Sequence, residues 1–160
     1  SQEKWRAINE IKNEYYRTLF KNNETLAQNT SYPLLAFIQQ QLNSENKISL
    51  LVGHDSNIVA LLAALGVEPY ELDDSLENIP IGGKLLFEVW KHKPSGKLKF
   101  KLDYVYQTTE QLINITPLSL ATPPNQTALT LKGCKKDEKG FCDYERFQQV
   151  LRESIENGKK

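Results

Sequence analysis

Gly53-His54-Asp55-Ser56-Asn57 sets an imidazole, a carboxyl group, a hydroxyl and an amide on successive residues. The apolar run Ile48-Ser-Leu-Leu-Val52 precedes this cluster and a second run, Ile58–Leu65, follows it. An imidazole can donate a hydrogen bond to an oxyanion, and a carboxyl group can pass a proton to a leaving group. If residues 48–52 form a buried strand and a helix begins near Ser56, the polar turn stands at the strand's carboxyl end. Open α/β sheets bind their ligands there. The free N–H groups and positive dipole end of the helix suit an anion such as phosphate. This reading makes His54 and Asp55 the catalytic residues and His54 and Ser56 the substrate-binding ones. The plainer alternative is that Asp, Ser and Asn simply cap the helix and Gly-His makes a turn.

The elements that must hold this turn follow from periodicity. Trp5, Ile8, Ile11, Tyr15 and Leu19 recur at helical steps, marking an amphipathic helix over roughly the first twenty residues. The polar stretch Lys21–Asn29 is expected to break it, with Thr30 or Ser31 capping a second helix and Pro33 in its first turn. Residues 48–52 are too short for a helix and rich in strand formers, so a buried strand is expected. Gly66 stops the helix that follows. Two extended runs, Leu85–Trp90 and Leu98–Tyr106, flank Lys93-Pro-Ser-Gly96 and predict a β-hairpin. Residues 121–125 read as loop and Thr127–Leu131 as a short strand. Asp143 caps a last helix whose Phe147, Val150, Leu151 and Ile155 share one face. This order of elements argues an α/β or α+β domain.

At 160 residues the chain can bury a real core. Twenty basic and twenty acidic residues balance, so no net field recruits nucleic acid or an anionic membrane. No apolar stretch reaches membrane-spanning length. The chain starts at Ser1 and contains no Met, so an upstream portion is expected to have been removed. Cys134 and Cys142 bracket a polar loop and read as a disulfide closing it, which would imply an oxidising compartment; two free buried thiols is the alternative. Zinc is disfavoured by the spacing.

Several other features carry less. His92 and the five lysines of Lys91–Lys101 read as a solvated hairpin face, and Glu68, Glu71, Asp73, Asp74 and Glu77 as a solvated loop without calcium spacing. Gly82 and Gly83 look like backbone-geometry residues rather than a phosphate loop. Asn-x-Ser/Thr sequons begin at Asn23, Asn29, Asn114 and Asn125, and matter only in a eukaryotic secretory pathway.

The setting sharpens the first reading. Leu51-Val-Gly-His54-Asp55-Ser-Asn-Ile58, the apolar helix after it, and Ile79-Pro-Ile-Gly-Gly-Lys-Leu-Leu-Phe-Glu-Val-Trp90 together resemble the C-terminal half of the histidine acid phosphatases, of the glucose-1-phosphatase and phytase type. Tyr104-Val-Tyr-Gln107, Glu110-Gln-Leu112, Gly133-Cys134 and Gly140-Phe-Cys142 extend the likeness. The resemblance implies a partial three-layer phosphoglycerate-mutase-like fold, with a mixed sheet flanked by helices. It also implies a periplasmic or secreted phosphomonoesterase acting on sugar or inositol phosphates through a phosphohistidine, with no metal or other cofactor required. His54 would then contact phosphate, and Asp55 would protonate the departing alkoxide.

The family's nucleophile lies in an Arg-His-Gly-x-Arg-x-Pro motif that this sequence does not contain. Residues 1–160 are therefore expected to be a single-domain C-terminal portion, inactive alone and open to self-association through a severed sheet. The competing expectation is a non-catalytic α/β module that binds a phosphorylated ligand or a protein partner.

Overall fold

A computed structural model describes residues 2–160; Ser1 lies outside them. Helix α1 (Gln2–Tyr16) runs into a π-helical turn at Arg17–Lys21, and α2 follows at Glu24–Leu42. α2 begins well before the expected cap. Asn23, not Thr30 or Ser31, closes its N-terminus by accepting the Leu26 N–H at 3.0 Å, with Glu24 in the first turn. The polar stretch breaks the first helix at Asn22 and Asn23, as expected, but is helical from Glu24 on; Gln28 within it and Ser31 beyond it are buried, and Pro33 lies in the helix interior rather than its first turn. Helix α3 (Asp55–Ala64) ends at Gly66, which has φ +64°.

The hairpin forms as expected. Strand β1 (Lys84–Lys91) pairs antiparallel with β2 (Leu98–Tyr106), and the Gly96 N–H closes the turn on the His92 carbonyl at 2.8 Å. A short helix, α4 (Thr109–Ile113), leads to β3 (Asn125–Ala128), slightly earlier than residues 127–131. β3 and the two-residue β4 (Cys142–Asp143) both pair antiparallel with β2, one near each end of it. Asp143 then caps α5 (Tyr144–Gly158) by accepting the Glu145 and Arg146 N–H groups. The Cys134–Cys142 disulfide is formed, with the Cα atoms 5.7 Å apart. The free-thiol alternative is therefore set aside.

α5 packs on α2 and on β2, and α3 packs on α2, burying one continuous core. Phe147 stacks face to face on Phe100 at 3.5 Å, and Ser154 donates to the Ala64 carbonyl at 2.8 Å, tying α5 to the end of α3. This is an α/β arrangement of helices against a sheet.

Two expectations fail together. Residues 48–52 form no strand, and among the described residues the sheet is antiparallel rather than mixed. The run has strand-forming residues but no neighbouring strand: Ile48 is 88% and Val52 92% exposed. A strand exists only through its ladder, and an unpaired run leaves its backbone to water. The apolar stripe of α1 (Trp5, Ile8, Ile11 and Tyr15) is likewise exposed. Both are apolar surfaces left open to solvent among the described residues.

Candidate functional site

His54 is the extended residue before α3, with φ −107° and ψ 167°. Its backbone N–H is accepted by Asn57 Oδ1 at 2.9 Å, so Asn57 ties down the turn and leaves the exposed imidazole out of that bond. Asp55 is the first helical residue and Ser56 the second, which confirms the turn-to-helix geometry without the strand before it. The Ser56 N–H is donated to Asp55 Oδ1 at 2.8 Å, and the side chain is exposed.

The fold brings to Asp55 neighbours that the sequence did not place there. Lys12 of α1 reaches across to Asp55 Oδ2 at 3.0 Å and lies 3.8 Å from Glu77 Oε2. The Tyr16 hydroxyl, one turn further along α1, faces the same Asp55 carboxylate. The Lys12 ammonium also stands 5.9 Å from the centre of the Tyr16 ring. Asp55 and Lys12 are each about 40% exposed at the side chain, so solvent and salt screen the pair.

Lys12 holds the Asp55 carboxyl below the usual carboxylate range; burial opposes this, while Tyr16 and the Ser56 N–H add to it. Tyr16 is pushed up to about 12, chiefly by burial and then by its bond to Asp55. A signal for this contact does lie in the sequence. Asn9, Lys12 and Tyr16 form a second, polar stripe on α1, and Asn9 Nδ2 donates to the Leu76 carbonyl at 3.2 Å.

The acidic loop is pinned rather than freely solvated. Tyr106 of β2 donates to the Asp73 carbonyl at 3.0 Å, and the Thr109 N–H bonds the Asp74 carbonyl at 2.9 Å. The Leu76 N–H donates to Thr109 Oγ1, and Glu77 follows directly, facing Lys12. Its other acids stay apart from metal-ligand geometry: no metal-holding cluster of His, Cys, Asp and Glu occurs among the described residues.

The Pro80–Gly83 turn completes this side. Gly82 has φ +70°, and the Gly83 N–H bonds the Pro80 carbonyl at 3.0 Å. A Cβ on Gly83 would meet Tyr104 Cε1 at 2.7 Å and the Pro80 carbonyl oxygen at 2.9 Å. The Tyr104 hydroxyl beneath it is buried without a hydrogen-bond partner; burial raises its pKa, and the charges of Tyr70, Asp55 and Glu77 add to that. Gly83→Ala is expected to cost about 1–3 kcal/mol through overpacking. A urea-midpoint series checks this, and a variant as stable as wild type would refute the close approach.

A cavity of about 120 Å³ opens between α1, the π-helical turn, α3 and the loop after α3, with Tyr16, Arg17, Lys21 and Tyr70 on its walls. His54 and Asp55 are not among its walls, and Arg17 is engaged by Glu10 and Glu14. His92 is far from this site in the fold: it sits in the hairpin turn, with Nδ1 2.8 Å from Ser95 Oγ. No helix among the described residues is long and apolar enough to cross a membrane.

Comparison with known proteins fits this arrangement. Residues 2–117 match the histidine phosphatase superfamily (branch 2). A glucose-1-phosphatase of Providencia rettgeri is 42% identical over 96% of this chain, and phytase AppA of Escherichia coli is 29% identical over 94%. The phytase structure from Citrobacter braakii superposes with a TM-score of 0.85 at 27% identity, over 96% of this chain and 40% of its own. The chain spans 38% of the length of the Providencia protein and 37% of AppA.

Proposed function

The chain belongs to the histidine phosphatase superfamily (branch 2), and from that premise we propose that it is the C-terminal portion of an acid phosphomonoesterase. The observation that carries this reading is the Asp55 carboxylate, half-exposed at the first turn of α3 beside an exposed His54. Phosphoryl transfer from a sugar or inositol phosphate expels an alkoxide, which leaves poorly without a proton. Asp55, when protonated, supplies that proton. His54 donates to a phosphoryl oxygen and Ser56 offers its hydroxyl. The attack itself falls to a histidine outside this chain, forming a phosphohistidine that water then cleaves. His92 cannot serve, because the hairpin turn that holds it is remote from the site.

The two unpartnered apolar surfaces, α1 and residues 48–52, support the view that more polypeptide completes the domain. The disulfide supports an oxidising location, periplasmic or secreted. The similarity to a glucose-1-phosphatase and to phytases supports a small phosphomonoester as substrate.

The test compares two purified proteins on nitrophenyl phosphate at acid pH. This chain alone is expected to show no turnover and to sediment as self-associated species, whereas the full-length protein turns over. Turnover by the isolated chain would sink the division of the site between two stretches of polypeptide. An inactive full-length protein would favour the other reading, a module that binds a phosphorylated ligand without hydrolysing it.

A further inference from the structure

We propose that Lys12 is a positioning residue that governs when Asp55 carries the proton it transfers. The proposal rests on the reading of Asp55 as proton donor. Asp55 has two carboxylate oxygens with different partners. Oδ1 accepts the Ser56 N–H at 2.8 Å, which leaves Oδ2 as the oxygen able to bear and release a proton. The Lys12 ammonium sits 3.0 Å from that same Oδ2. Cation and proton therefore compete for one atom.

The groups facing Asp55 decide the balance. From α1 come the Lys12 ammonium and the Tyr16 hydroxyl, both favouring the ionised form. From the acidic loop comes Glu77, a like charge that Lys12 also neutralises at 3.8 Å. From the turn itself come His54 and the Ser56 N–H, and from β2 the unpartnered Tyr104 hydroxyl, which feels both carboxylates. Lys12 is the cation that joins the two acids. A donor must be protonated to act, so a cation that favours its ionised form makes activity fall at a lower pH as pH rises. Removing Lys12 frees Oδ2 and leaves Glu77 uncompensated, and both changes move that fall to higher pH.

The test titrates the Asp55 carboxyl carbon by NMR in this chain, as wild type, Lys12→Gln and Lys12→Arg. The same variants in the full-length protein give the pH profile of kcat. The expected result is an upward shift of the Asp55 midpoint in Lys12→Gln, a midpoint near wild type in Lys12→Arg, and a matching upward move of the kcat profile's alkaline limb. Added salt should narrow the gap between wild type and Lys12→Gln, because the pair is half-exposed. An unmoved Asp55 midpoint in Lys12→Gln overturns the proposal alone. A moved midpoint with an unmoved kcat profile overturns both the proposal and the assignment of Asp55 as donor.

Discussion

Asp55→Asn in the full-length protein is expected to lower kcat on a sugar phosphate by roughly 10²–10⁴-fold while leaving KM within a few-fold of wild type. Asparagine keeps the shape of the side chain and an oxygen to accept the Ser56 N–H, so the start of α3 should persist. It has no carboxyl proton to give. The loss should therefore track the leaving group. An alkoxide needs the proton, whereas a nitrophenolate leaves readily without it, so turnover of nitrophenyl phosphate should fall much less. That substrate dependence separates proton donation from a merely structural role, which would depress both substrates alike. Equal losses on the two substrates, or no loss on either, would remove Asp55 from the chemistry.

What was legible in the sequence was local. The hairpin follows from two extended runs around a turn closed by Gly96, and α5 from Asp143 as a cap ahead of a helical apolar stripe. The start of α3 could be read to within a residue because the polar cluster and the apolar run abut. The convergence of Lys12 and Tyr16 on Asp55, and of Glu77 on Lys12, is not legible, because it is tertiary: α1 crosses to the start of a helix that begins some forty residues later. The apolar stripe of α1 marks the helix but is exposed, and the polar stripe carries the contact. The early start of α2 is not legible because Gln28 sits in a polar stretch and Ser31 suits a cap, yet both are buried where α2 packs against its neighbours. Residues 48–52 mark a different limit. Their composition suits a strand, but pairing is a property of two segments, and none lies beside them.

The largest expected effect on stability follows from the packing behind the site. Phe147 of α5 is fully buried, stacked on Phe100 of β2 at 3.5 Å with the rings 5° from parallel, and flanked by Phe87 and Tyr144. Phe147→Ala removes the ring from the junction of helix and sheet, and is expected to cost about 3–5 kcal/mol from lost burial plus the cavity left behind. A domain of this kind has roughly 5–15 kcal/mol in total, so the variant should lie near the edge of unfolding at room temperature. Phe147→Leu, which refills part of the space, should lose distinctly less. The loss should also reach the site, because β2 carries Tyr106, whose hydroxyl holds the Asp73 carbonyl and with it the loop that presents Glu77 to Lys12. Urea unfolding of the three proteins, with the Asp55 carboxyl signal followed in parallel, measures both effects. A Phe147→Ala variant within about 1 kcal/mol of wild type would mean that this aromatic stack is not what anchors α5 to the sheet.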